Sequence, residues 1–246
     1  MSAMDFEETI ANNVAAVRSL IAEAAAANRR KQQDIQLIAV TKTQDWSACQ
    51  AALKAGIGIL GENRLQEAQD KIPAAFRQQF PQCQLHFIGQ LQSNKIRKIV
   101  RLFDCVQSVD SLDHLRMIDR EAAAIGKTMD AFIEVNTSGE SSKAGVGDQN
   151  SLLQLVETGI GLANISLRGL MTVGPLDANE SHVRAAFSQL RELSSICQDR
   201  FQLSTWGSLS MGMSGDYPWA IAEGATHVRI GTALFGQRPL KTAEAE

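Results

Sequence analysis

Lys42 closes the run "LIAVTK" (37–42), a primary amine at the end of an otherwise apolar stretch. Far along the chain lie two loops of small residues, "LSMGMSGD" (209–216) and "IGTALFG" (230–236), and just before the second, in "HVRIG" (227–231), a guanidinium, Arg229. In the first loop Ser210 and Ser214 offer hydroxyls, Gly212 and Gly215 allow close backbone approach, and a helix start near Pro218 follows. In the second, Gly231 bares the backbone and Thr232 adds a hydroxyl. Backbone N–H groups at a helix start favour an anion. Two such loops side by side form a phosphate cup, whereas either alone reads as an ordinary turn. An amine partly desolvated beside a cation loses basicity and can attack a carbonyl. A phosphorylated aldehyde would use the amine, the arginine and the cup together.

That chemistry requires distant parts of the chain to meet, so the elements that carry them matter. Short apolar runs rich in branched residues recur at 37–42, 57–62, 85–89, 104–109, 131–136, 165–172, 202–208 and 227–231. Helical patterns separate them: 46–56, 65–80 with a break near Pro73, "NKIRKIVRLF" (94–103), 111–126, 150–159, 180–198 and a short one at 219–224. Strands alternating with helices give a parallel sheet, and eight strands close a (β/α)8 TIM-type barrel. An open doubly wound sheet accommodates the same strand count and stands as the alternative. Phe6, Ile10, Val14, Val17 and Ile21 recur at helical spacing, so residues 1–30 are expected as an extra N-terminal helix. It packs on the barrel where little chain follows strand eight. The expectation is a single domain over 1–246, with the polar tail 241–246 disordered.

If the barrel closes, its eighth strand neighbours its first, and the loops after strands seven and eight fall where such barrels bind phosphate. By alternation Ile38, Val40 and Lys42 share one face. An inward face puts the amine at the mouth beside the cup. Pyridoxal 5'-phosphate (PLP) is the common phosphorylated aldehyde cofactor.

Other patterns carry less. "GIGILG" (56–61) matches a dinucleotide-binding fingerprint, but a helix precedes it and the strand lies inside it, the reverse of what that site needs. "SLSMG" (208–212) has Ser208 where a nucleophile elbow needs glycine. Lys95, Lys98, Arg97 and Arg101 read as a solvated helix face, and the formal charge of −3 argues against a nucleic-acid surface. Four histidines lack metal-ligand spacing. Cys49, Cys83, Cys105 and Cys197 lie in apolar or helical stretches, as buried free thiols do. No signal peptide or membrane-spanning run is evident, so a soluble cytoplasmic protein is expected.

The segments "AVTKTQ", "GENRLQEA", "HFIGQLQSNK", "VNTSGESSKAG", "RGLMT", "LSMGMSGD" and "VRIGTALFG" closely resemble the pyridoxal phosphate homeostasis proteins, relatives of the alanine racemase N-terminal barrel. The resemblance spans nearly the whole chain. It implies a one-domain barrel in which Lys42 forms a Schiff base with PLP and Arg229 faces the pyridine nitrogen. It also implies that Ser210, Ser214, Gly231 and Thr232 surround the phosphate, with Asn63 and His86 lining the site. This chain has "TKTQD" and "GENR" where the family often has "SKTKP" and "GENY". A second lysine and a tyrosine are therefore missing from the rim, while Lys42 and Asn63 remain.

Activity is a separate question. Racemisation needs acid and base groups on opposite faces of the substrate. Barrel racemases draw the second from an added β domain, which is not expected here. The single tyrosine, Tyr217, belongs to the phosphate end. A guanidinium does not readily give up its proton, which leaves the ring nitrogen unprotonated and the cofactor a weaker electron sink. The leading expectation is a monomeric PLP carrier or buffer in vitamin B6 homeostasis, with apo PLP enzymes as recipients. A weak amino-acid racemase is the alternative, and a cofactor-free Schiff-base aldolase a third. At the rim, Lys143 and Glu140 are expected to form an exposed ion pair, and Met171 to pack on the ring or fill the core.

Overall fold

The computed structural model describes residues 3–140, 142–175 and 179–237; the tail 241–246 lies outside them. The chain opens with α1 (Ala3–Ala27), then runs β1 (Gln36–Val40), α2 (Trp46–Lys54), β2 (Ile59–Glu62), α3 (Leu65–Lys71), α4 (Phe76–Gln79) and β3 (Gln84–Phe87). It continues with α5 (Ile96–Leu102), β4 (Cys105–Val109), α6 (Leu112–Ala123), β5 (Met129–Glu134), α7 (Gln149–Ile160), β6 (Ile165–Met171) and α8 (Glu180–Phe201). Last come β7 (Ser208–Ser210), α9 (Tyr217–Ala222), β8 (His227–Ile230) and α10 (Thr232–Phe235). The strands form a closed barrel in sequence order, every neighbouring pair parallel. β8 returns to β1 with Ile38 opposite Arg229.

The strands are apolar almost throughout because both faces are covered. Outward residues such as Ala39, Leu60, Leu85 and Val106 join the main hydrophobic core with the helices. Inside the barrel, Cys105, Phe132 and Met171 form a separate packed layer. Helix starts are set by local chemistry. Asp45, Ser111, Asp148 and Asn179 each accept backbone N–H groups from the first turn of the helix that follows. Pro73 ends the pattern that began at Leu65, and the predicted helix over 65–80 is two short ones.

Helix α1 fills the place that the four-residue α10 leaves at the seam between β8 and β1. Ile10, Val14, Val17, Ile21 and Ala25 form its buried stripe. It packs on α2, α9 and α10. Polar links fix its register. Asn13 Nδ2 donates to Leu234 O (2.9 Å), and Arg18 Nη2 donates to Gly56 O (2.6 Å).

Two expectations need correction. Strand seven is not 202–208 but Ser208–Ser210. The preceding segment is used as a connector: Trp206 Nε1 donates to Ser194 O and Oγ of α8 (3.0 and 2.9 Å), and Thr205 Oγ1 donates to Leu167 O (3.1 Å). Its side chains are thereby spent on binding α8 and β6, and pairing starts only beyond Gly207. The second is the Lys143–Glu140 pair, which forms at 2.9 Å, yet the Lys143 side chain is only 14% exposed. Lys143 Nζ also donates to Gly174 O (2.6 Å), tying the loop after β5 to the loop after β6.

Candidate functional site

The carboxyl ends of the strands surround a cavity of about 390 Å³, whose walls include Val40 and Lys42 from the β1 end, Asn63, Ile88, Val173, Arg229 and Phe235. Ser214 and Gly215 from the loop after β7, and Gly231 and Thr232 after β8, complete one side. Alternation along β1 explains the lysine's place: Ile38 fills the barrel, Val40 lines the floor and Lys42 stands at the mouth, half-buried.

The two small-residue loops lie together, as the cup required. Ser214 Oγ accepts the N–H of Ala233 at the start of α10 (3.4 Å). Gly212 makes the close packing possible. Its φ is +93°, and a Cβ there would lie 2.6 Å from the Ala220 Cβ and 3.0 Å from the Tyr217 Cα. The Gly212 carbonyl accepts the Arg229 N–H (2.9 Å), which extends the β7–β8 pairing to the cavity edge.

Arg229 is buried, and its orientation is determined by a directed chain of hydrogen bonds. Two of its five N–H donors go to Ser210 Oγ (2.7 Å) and to Thr172 O (2.8 Å). Because arginine only donates, Ser210 must accept from it and donate its own proton, which goes to Gln107 Oε1 (2.7 Å). The Gln107 amide nitrogen then faces His86 Nδ1 (2.8 Å), so Nδ1 is the acceptor and the proton sits on Nε2, facing Gln84 Oε1 (3.3 Å). Burial, with His227 nearby, pushes the His86 pKa down to about 3, and the ring is neutral at physiological pH. Burial also lowers the Arg229 pKa to about 10, opposed by Glu134 and Asp216. The group remains a cation at neutral pH. Burial raises the Glu134 carboxyl to about 7, with Arg229 pulling the other way.

Seven of the residues singled out from the sequence meet at the cavity: Lys42, Asn63, Ser214, Gly215, Arg229, Gly231 and Thr232. Ser210, Gly212 and His86 lie off its lining. Ser210 belongs to the strand, fully buried beneath Arg229, and His86 sits two steps further along the same hydrogen-bond chain, beyond Gln107. Met171 fills the inner core layer. Gln107 was missed. Its signal was a polar side chain at an inward position of the apolar run "DCVQSV".

The donor set suits a phosphorylated aldehyde with a polar aromatic ring. Asn63 Oδ1 is buried with no hydrogen-bond partner among the described residues, an acceptor that a ligand hydroxyl would satisfy. Lys42 supplies the amine, Arg229 a fixed cation, and Ser214 and Thr232 hydroxyls. No group of three or more histidine, cysteine or acidic side chains among the described residues could hold a metal ion.

The closed eight-stranded barrel is the fold shared with the alanine racemase N-terminal domain. The profile of that domain matches residues 8–239. An alanine racemase of Clostridium difficile has the same fold, with a TM-score of 0.71 at 16% identity over 96% of this chain and 58% of the racemase. Nearer relatives narrow the class. A pyridoxal phosphate homeostasis protein of Pseudomonas aeruginosa is 43% identical over 94% of this chain and 96% of its own length. PipY of Synechococcus elongatus, solved with PLP bound, matches with a TM-score of 0.81 at 36% identity, over 92% of this chain and all of PipY. The chain belongs to the pyridoxal phosphate homeostasis protein family.

Proposed function

We propose that the protein binds PLP as a Schiff base of Lys42 and serves as an intracellular buffer or carrier of that cofactor, without robust catalysis of its own. The observation that carries this reading is one cavity that joins the Lys42 amine, the buried Arg229 cation and two hydroxyl-bearing loops. When bound, the cofactor supplies an aldehyde carbon. Lys42, in the cavity wall, would be the amine that such a carbon meets, with water as the only product released on linkage. Arg229 is held as a donor by Ser210 and Thr172, so it offers a ring nitrogen a hydrogen bond without giving up a proton. Ser214, Gly215, Gly231 and Thr232 would hold the phosphate, and Asn63 the ring hydroxyl.

The weak racemase reading lacks a second acid at the mouth among the described residues that this structure identifies. The Tyr217 phenol is buried and lies toward Glu23 of α1, two effects that both raise its pKa. Tyr217 is not among the residues that line the cavity. The four cysteines are free and buried, which suits a reducing cytoplasm, and no described helix is long and apolar enough to cross a membrane. We take the protein to be a monomer that hands PLP to apo enzymes.

The test is spectroscopic. Protein incubated with PLP should turn yellow and lose the colour on borohydride treatment, with the label found on Lys42 by peptide mapping. Loaded protein should reactivate an apo PLP enzyme faster than the free PLP it releases can account for. A colourless protein refutes cofactor binding. Reactivation that tracks free PLP alone refutes the carrier role. Turnover of amino-acid stereoisomers, abolished in Lys42→Ala, would establish the racemase in its place.

A further inference from the structure

The end of β1 carries a second lysine cluster on the side of the barrel wall facing away from the cavity. Neighbours on a strand alternate in direction, so while Val40 and Lys42 face inward, Thr41 faces the helices, where it is fully buried. Its hydroxyl donates to Glu62 Oε1. Lys71 Nζ of α3 forms an ion pair with Glu62 at 2.7 Å, with side chains 9% and 0% exposed. The same ammonium donates to the carbonyls of Thr41 (2.6 Å) and Gln44 (3.2 Å), one on each side of Lys42, and to Glu67 (3.2 Å). Glu67 in turn accepts the N–H of Thr43.

These contacts surround a backbone conformation that the sequence does not favour. Thr43 has φ +66°, in the left-handed region, where a β-branched residue is a true outlier. Such conformations persist only where surrounding contacts hold them, and they concentrate at functional sites. Here the holding groups are visible: Thr41, Thr43 and Gln44 are each tied to the Glu62–Lys71–Glu67 cluster, and Lys42 is the residue in their midst. A buried ion pair adds little net stability over apolar packing of the same size, so fold stability alone does not account for it.

We propose that Lys71 is a positioning residue. With Glu62 and Glu67 it clamps residues 41–44 in the bent path that turns Lys42 into the cavity, where its amine meets an aldehyde-bearing ligand. This rests on the lysine-linked binding of PLP proposed above.

The experiment compares wild type, K71M/E62Q and K71M/E62Q/T43G, glutamine being used so that no unpaired carboxylate is left buried. The first readout is amide hydrogen exchange at residues 41–44 in protein free of PLP, expected to quicken by about tenfold or more in K71M/E62Q. The second is the fraction of bound PLP that borohydride fixes to Lys42, measured against total PLP bound. In K71M/E62Q that fraction is expected to fall about tenfold while noncovalent binding persists. Glycine adopts the left-handed conformation at no steric cost, so T43G should restore most of it. Unchanged exchange at 41–44 overturns the proposal. So does a proportional loss of total and covalent PLP that T43G does not repair, which is what general destabilisation would produce. A wild type that binds no PLP rejects the cofactor reading separately, and the exchange readout still decides the clamp. Should K71M/E62Q not fold, E67A at a more exposed position applies both readouts to the same clamp.

Discussion

Gln107 shows how a side chain outside the cavity lining can govern it. It reads the Ser210 hydroxyl on one side and the His86 ring on the other, and through Ser210 it sets Arg229. Replacing it with leucine leaves the Ser210 proton without its acceptor and His86 Nδ1 without its donor, each costing about 1–3 kcal/mol. Gln107→Leu should therefore lower the urea midpoint at pH 7 and weaken PLP binding together. At the cup, Ser214→Ala with Thr232→Val should raise the PLP dissociation constant at least about tenfold, from the loss of charge-assisted hydrogen bonds. Titration by absorbance checks this, and Lys42 labelling should persist once saturating PLP is supplied. Lys42, Arg229 and the two glycine-rich loops were legible in the sequence because their residue types are conspicuous beside apolar runs. The role of Ser210 was legible only in part. Its hydroxyl was visible, but whether it met a ligand or Arg229 depended on where β7 began.

At the scale of elements, the strands could be read because parallel strands covered on both faces are nearly continuous apolar runs. β7 was the exception. "QLSTW" has strand composition, yet Trp206 and Thr205 find their partners in α8 and β6, a long-range choice that no local pattern encodes. The helical connections were placed well where a cap or a glycine marks them, as at Asp45 and Gly56. The inner face of β5 carries a testable charge. Glu134 titrates near 7 in the folded protein against about 4.3 in an unfolded chain. Its pKa is raised by folding, so its contribution is fully present below the unfolded value and is lost as pH climbs through 7. Glu134→Gln should therefore be more stable than wild type at pH 8, by on the order of 3 kcal/mol, and the gap should close toward pH 5. Denaturant midpoints across that range measure it. For α1, Ile21 is 2% exposed in the seam stripe, and Ile21→Ala should cost about 2–4 kcal/mol of stability.

For the molecule as a whole, two buried imidazoles set the acid limit. Burial lowers His86 to about 3 and His227 to about 4, while an unfolded chain takes up both protons near pH 6.5. Their contribution is intact above that pH and is lost as pH falls toward 4, at up to about 2.7 kcal/mol per pH unit for the two protons. A midpoint series from pH 7 to 4 should fall with that slope, reduced by whatever Glu134 returns. An unchanged midpoint at pH 5 would contradict the neutral, buried assignment of both rings.

The closing seam has a consequence for synthesis. Ile38 lies opposite Arg229, so the wall that carries the amine is completed only by a segment made nearly 200 residues later. A growing polypeptide can pair β1 with β2 and β2 with β3 as they leave the ribosome, but β1 keeps a bare edge throughout. Such an edge invites mispairing with other chains, and topologies that wait for distant contacts are slow to form. Capacity to capture PLP should thus arise in a single late step of translation, and nascent chains halted before residue 227 should bind none.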